Sequence, residues 1–318
     1  MSSHDHHHAS PARLALGFAA VYILWGSTYL GIRFAVASMP PLLMAGSRFI
    51  LAGGFLYAWL RLRGMPRPEP RHWRSAGILG GLLLLGGNGL VSLSELSVPS
   101  GIAALIVAIV PFWMVLLNAL EQRSFPKLSV IMGLLLGIAG LAILVLPNSG
   151  AGGHVDPLGV CLLLVATFSW ATGSLYAHRA PLPASTFLGI AMEMFAGGVL
   201  LWVVGLATGE GAALHVAGIT AASWIAFSYL VVFGSLVGFS AYVWLLKVTT
   251  PARASTYAFV YPVIAVLLGW LLAGEALTSR IALAGAIIVA AVCLIMYFGS
   301  AGGKTGGAPA KTPAAEET

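Results

Sequence analysis

PSGIAALIVAIVPFWMVLLN, residues Pro99 to Asn118, is a small-residue entry, an apolar run and one proline in its middle. PARASTYAFVYPVIAVLLGW, Pro251 to Trp270, repeats the layout, with Pro262 standing where Pro111 stood, 151 residues on (262 − 111). Each stretch has 20 residues, which at about 1.5 Å per helical residue matches the roughly 30 Å hydrocarbon core of a bilayer. A proline inside a membrane helix removes one backbone hydrogen bond and bends the axis. It is tolerated where a neighbour, water or ligand takes the freed carbonyl. Two such helices at matching places imply a duplicated machine, with bends expected at Pro111 and Pro262.

The composition supplies the solvent. Charged residues are 8% of the 318, hydrophobic ones 59%, and mean hydropathy is +0.94, whereas soluble domains carry about a quarter charged residues. The chain therefore reads as an integral membrane protein whose first partner is the lipid bilayer. Its net charge of +6 comes from lysines and arginines in short loops, so membrane topology explains it and no nucleic-acid partner is expected. Asp occurs only at Asp5 and Asp156 and no HExxH is present, which excludes an intramembrane aspartyl dyad and a zinc protease. No enzyme activity, cofactor or metal is expected. His4, His6, His7 and His8 read as a solubilising run in a polar tail rather than a metal site. Cys161 and Cys293 lie inside apolar runs without metal spacing and are expected to pack. The first apolar run, from Leu14, is long enough to span, so it reads as a retained helix rather than a cleaved signal peptide.

Ten apolar runs follow one another, an all-α polytopic arrangement. After a polar tail (1–13), five fall near 14–36, 41–60, 75–94, 99–120 and 128–147. A Gly-rich linker (148–156) precedes five more, near 157–178, 184–207, 220–247, 252–274 and 279–298, and residues 299–318 form a Gly, Pro and Ala-rich tail. The halves superpose in sequence. Trp25 pairs with Trp170 (170 − 25 = 145) and Ala52-Gly53-Gly54 with Ala196-Gly197-Gly198 (196 − 52 = 144). Five is odd, so the second half must enter from the opposite face, giving two inverted five-helix repeats. With the N-terminus inside, inside segments hold Arg13, Arg61, Arg63, Arg67, Arg71, Arg74, Arg123, Lys127, Arg179, Lys247, Arg253, Lys304 and Lys311, and outside segments only Arg280. Both termini are therefore expected in the cytoplasm. GxxxG pairs Gly133/Gly137 and Gly234/Gly238 are expected to serve helix packing.

Particular strings then become informative. WGSTYLGIRFAV (Trp25 to Val36), the step Ser47-Arg48-Phe49, and Glu95 leading into VPSGIAALIVAIVP resemble the drug/metabolite transporter superfamily. Within it they resemble the EamA-type permeases, which include amino-acid and metabolite exporters. The resemblance runs from Leu14 to about Phe298. It implies an inner-membrane carrier with a central cavity between the repeats, open alternately to either side. The small multidrug relatives carry a glutamate in the first helix, whereas this chain has no acid between Arg13 and Arg63. The acid often found after the fourth helix of a half appears as Glu275, and in the first half Glu121 sits out of register.

Few residues are left to carry chemistry, because an ionisable group at membrane depth costs at least about 2.5 kcal/mol. Glu193 and Arg48 are the deep charged pair, each a gate or substrate contact on one reading and a packed polar residue on the other. Glu95 is placed near the outer face, binding substrate amines or capping the fourth helix. Trp25, Tyr29, Trp113, Trp170, Tyr257 and Tyr261 fall in matching helices of the two halves and are cavity candidates. Asn88 and Asn118 would bond freed carbonyls or reach the substrate. The sequence thus points to a secondary transporter, an exporter of small metabolites such as amino acids or amphipathic aromatic compounds, with a proton gradient as candidate driver. The rival is a non-transporting membrane protein, either a lipid-modifying enzyme or an assembly scaffold. No Walker A motif is present, and oligomeric state is open.

Overall fold

The computed structural model describes residues 10–123, 125, 128–146, 155–249 and 256–300, the side chains of 246, 247 and 298–300 excepted. The histidine tail, residues 148–154 of the linker, Lys127, the Lys247 side chain, Pro251, Arg253, Lys304 and Lys311 lie outside the described residues.

Prolines open four helices at the first helical position, where a missing N–H costs nothing: α1 (Pro11–Val36), α2 (Pro41–Leu62), α3 (Pro70–Ser94) and α6 (Pro157–Ala177). Side-chain oxygens cap others. Asp156 accepts from the amides of Leu158 and Gly159 at the start of α6. Ser185 caps α7 (Thr186–Ala207) through Leu188, and Thr220 caps α8 (Ala221–Leu245) through Ser223. With α4 (Ser100–Gln122), α5 (Leu128–Val145), α9 (Tyr257–Ala273) and α10 (Ser279–Ser300), this makes a ten-helix membrane fold. Among the described residues nine helices are long and apolar enough to cross a bilayer, and α9 is the shorter tenth.

Two features depart from uniform helices. Residues Gly80–Gly89 in α3 and Leu230–Val237 in α8 wind as π-helix, at positions 150 apart (230 − 80). The two prolines also behave differently. In α4 the helix stops at Val107 and resumes at Val110, immediately before Pro111, whereas α9 runs through Pro262 without interruption. The paired bends expected from sequence are one break and one continuous helix. Pro262 is only the sixth residue of described α9, so the bond it cannot make is to Ala258 alone and the ladder continues beyond it.

Packing repeats across the halves. Helix α1 lies against α8 and α9, and α6 lies against α3 and α4, while α2 crosses α7 and α5 crosses α10. The matched Gly triplets explain the α2–α7 crossing: a Cβ on Gly53 would sit 2.6 Å from the Phe195 nitrogen, and one on Gly198 2.7 Å from the Ile50 nitrogen. Large apolar side chains such as Leu16, Phe55, Leu120 and Leu271 are exposed on the outer faces, because those faces meet lipid and need no polar cover. Cys161 and Cys293 correct the sequence reading: both are exposed rather than packed. In a membrane helix the lipid face is as apolar as the core, so an apolar run does not distinguish them.

Candidate functional site

Between the halves lies a cavity of about 730 Å³, walled by α1, α2, α3, α4, α6, α8, α9 and α10. It reaches from mid-bundle to Asn118 and His178, both exposed, near the ends of α4 and α6. Trp25, Tyr29, Arg48, Asn88, Pro111, Asn118, Trp170, Tyr257 and Tyr261 all line it. One wall is aromatic. Trp25 meets Tyr257 edge-on at 4.7 Å, and Tyr29 and Tyr261 stack at 5.7 Å with rings 5° apart. The break in α4 faces the same space through Val107, Ala108 and Val110, and Pro111 cannot donate to the Val107 carbonyl.

Arg48 is the cation of this wall. Among the described residues its guanidinium makes one hydrogen bond, Nε to Ser235 Oγ at 2.8 Å, and its carbon lies 4.7 Å from the Phe49 ring centre. Among the described residues it has no acidic partner. Sequence reading missed Ser235, because its importance comes from a residue 187 positions away.

Trp25 and Trp170, paired by the sequence offset, are seated alike. A Cβ on Gly238 of α8 would lie 2.8 Å from Trp25 Nε1, and one on Gly87 of α3 would lie 2.6 Å from the Trp170 ring. Each indole therefore rests on bare backbone in or beside the other half's π-helical segment, a winding found frequently at functional sites. The Gly234/Gly238 pair does serve packing against α1, a Cβ on Gly234 lying 3.0 Å from Thr28 Cγ2, and Gly234 also lines the cavity next to Arg48. A small-xxx-small spacing alone does not say whether the facing group is a helix or a cavity side chain.

The end of the bundle remote from Asn118 is shut. Val98, Ile102, Ala103 and Ile106 are buried there, and carboxylates from the second half sit on helix N-termini of the first. Glu275 accepts from Ser100 N (2.7 Å), Ser100 Oγ (2.7 Å) and Gly101 N (3.0 Å), and Glu210 accepts from Leu42 N and Leu43 N. Both place negative charge where the helix dipole and free amides favour it. Arg33 donates to the Glu95 carbonyl and Arg280 to the carbonyls of Ile143 and Leu146 at the end of α5. The cap on α4 is thus Glu275, not Glu95. The Glu95 carboxylate is fully buried and neither oxygen has a hydrogen-bond partner among the described residues. Burial, and then the charge of Glu275, push its carboxyl well above the usual carboxylate range, against the pull of Arg33.

The remaining candidates lie outside the cavity. Trp113 stands one layer behind it, its indole donating to Thr167 Oγ1 at 2.9 Å, and Thr167 is the lining residue. Glu193 is half-buried on α7 and makes no hydrogen bond or ion pair among the described residues. Pro262 lies in the α9 core beside Tyr261.

Comparison with known proteins agrees with this architecture. The chain is 43% identical over 278 residues to a protein of Escherichia coli K12 named "Uncharacterized inner membrane transporter YedA", covering 87% of this chain and 88% of that one. It is 27% identical over 302 residues to a protein of Salmonella typhimurium named "Probable amino-acid metabolite efflux pump", covering 89% and 95%. A solved crystal structure with 20% identity aligns over 92% of this chain and all of its own, with a TM-score of 0.60, which speaks to the fold. The EamA-like transporter family model matches twice, over residues 13–146 and 157–297. Those segments take in both walls of the cavity, and on them the chain belongs to the EamA-like transporter family, a family of membrane transporters rather than enzymes.

Proposed function

We propose that this protein is a secondary transporter of the bacterial inner membrane. It exports small metabolites, amino acids or amphipathic aromatic compounds, by alternating access of two inverted five-helix repeats. The observation that carries the reading is the cavity itself: open at one end, latched at the other, and walled by corresponding helices of both halves. The double family match and the paired π-helical segments support duplication. The basic residues support cytoplasmic termini, which makes the open end the cytoplasmic one, the side from which an exporter loads. The names of the relatives, an inner membrane transporter and an efflux pump, support location and direction.

The test is flux into liposomes holding the purified protein, screened across amino acids, nucleosides, aromatic acids and cationic dyes, with and without a pH gradient. Saturable flux of at least one class is expected, and none in any class would sink the reading. A gradient response that survives Glu193→Gln would remove Glu193 from proton coupling. Pro111→Ala, which restores a donor at the break in α4, should bias the cavity toward one state, whereas Pro262→Ala, in a helix that is already continuous, should shift it much less. Cysteine labelling at the two ends of α4 and α9 reads this out, and equal shifts in the two variants would remove the α4 break from the mechanism.

A further inference from the structure

Given that the cavity carries substrate, its charge pattern says more than its size. Arg48 is 4% exposed and lines the cavity. Among the described residues only its Nε is hydrogen-bonded, to Ser235, and no Asp or Glu lines the same space. A buried cation without a counter-ion is costly, and the guanidinium edge is built to bind a carboxylate through paired N–H donors. The same cavity is lined by aromatic rings, Tyr29, Tyr257 and Tyr261 stacked in series and Trp25 set edge-on to Tyr257.

We propose that the cavity selects an organic monoanion, a carboxylate carried on a flat apolar body. Arg48 holds the carboxylate and the Trp25–Tyr257–Tyr261 wall holds the body. Occupied, the site is neutral, so an anion-loaded carrier passes through its occluded state without an unpaired charge. A second negative charge would leave the cavity net anionic. An ammonium group would find no carboxylate to pair with and would be repelled by Arg48. The expected order is anion, zwitterion, neutral amide, cation.

Four indoles of nearly equal shape isolate the charge: indole-3-acetate, tryptophan, indole-3-acetamide and tryptamine. In liposomes holding the full chain, the acetate should be carried with kcat/KM at least about tenfold above the acetamide, and tryptamine should not be carried. Arg48→Gln should bring the acetate-to-acetamide ratio to about one by losing acetate flux while acetamide flux persists, and Arg48→Lys should restore part of it. Equal transport of acetate and acetamide by the unaltered protein, or preference for the amine, overturns the proposal. That measurement decides the matter even if the variants do not fold. If none of the four is carried, the aromatic-anion assignment falls, while flux of any other compound in the broad screen leaves the transporter reading standing.

Discussion

Glu275 and Glu121 close the fourth helices of their halves, yet they act at opposite ends. Glu275 follows α9, is turned back by Gly274 in the left-handed conformation, and accepts three hydrogen bonds from the start of α4 at the shut end. Glu121 near the end of α4 sits in an exposed ion pair with Arg179 beside the open end. Both carboxylates bridge the halves, Glu275 through preorganised amides and Glu121 through a long, exposed cation in a high dielectric. The difference teaches where the closure energy lies, because charge-assisted bonds to backbone amides contribute about 1.5 to 3 kcal/mol each and exposed pairs far less.

The largest effect is expected at Glu275. Glu275→Ala removes all three bonds at once and should loosen the shut end by at least about 2 kcal/mol, roughly thirtyfold in population. Ile102 is buried behind that contact. In a background without Cys161 and Cys293, Ile102→Cys should change from unreactive to reactive toward a thiol reagent once Glu275 is gone. Unchanged protection would show that apolar packing, not the cap, holds this end.

The next effect is at the cavity. Gly238→Ala and Gly87→Ala each put a methyl where an indole now rests, 2.8 and 2.6 Å away. Overpacking of this kind costs about 1 to 3 kcal/mol, and the ring has only the cavity to move into. Transport should fall about tenfold in either variant, with a smaller drop in thermal stability. Loss of stability with unaltered transport per folded molecule would make the glycines packing residues only.

Much of this was legible. Ten apolar runs, the repeat offset and most cavity residues follow from composition and spacing, since helices crossing lipid must be long and apolar and rare polar residues must face inward. The π-helical segments were not legible: GGLLLLGGNG is apolar all round, so no periodicity separates one winding from another. Spacing puts the bend of α4 at Pro111, but the helix yields at Ala108 and Ile109, because Pro111 cannot donate to the Val107 carbonyl and its ring crowds that preceding turn. Glu95 and Glu275 could not be told apart as caps, since which one reaches Ser100 depends on a contact 175 residues long.

Glu95 sharpens the contrast through pH. Its carboxyl is raised by burial and by Glu275, so the shut end favours the protonated form. An acid with a raised pKa leaves closure intact at low pH and weakens it as pH climbs above the ordinary value of 4.5. Reactivity of Ile102→Cys, corrected for thiolate fraction, should therefore rise with pH, and Glu95→Gln should flatten that rise and keep the end shut. A pH response that persists in the Gln variant would assign it to Glu275 or another group.

The smallest effect belongs to Glu121. Its carboxylate pairs with Arg179, but both side chains are exposed. Water and salt screen such a pair, and ordering two long side chains offsets what attraction remains. Glu121→Gln should leave Ile102→Cys labelling and transport within about twofold of the parent, with any residual difference disappearing at high salt. The control is informative because Glu121 and Glu275 end equivalent helices of the two halves. If Glu121→Gln opened or closed the bundle as strongly as Glu275→Ala, the end near Asn118 would be held by a latch of comparable strength, and the asymmetry that makes one end the entrance would be lost.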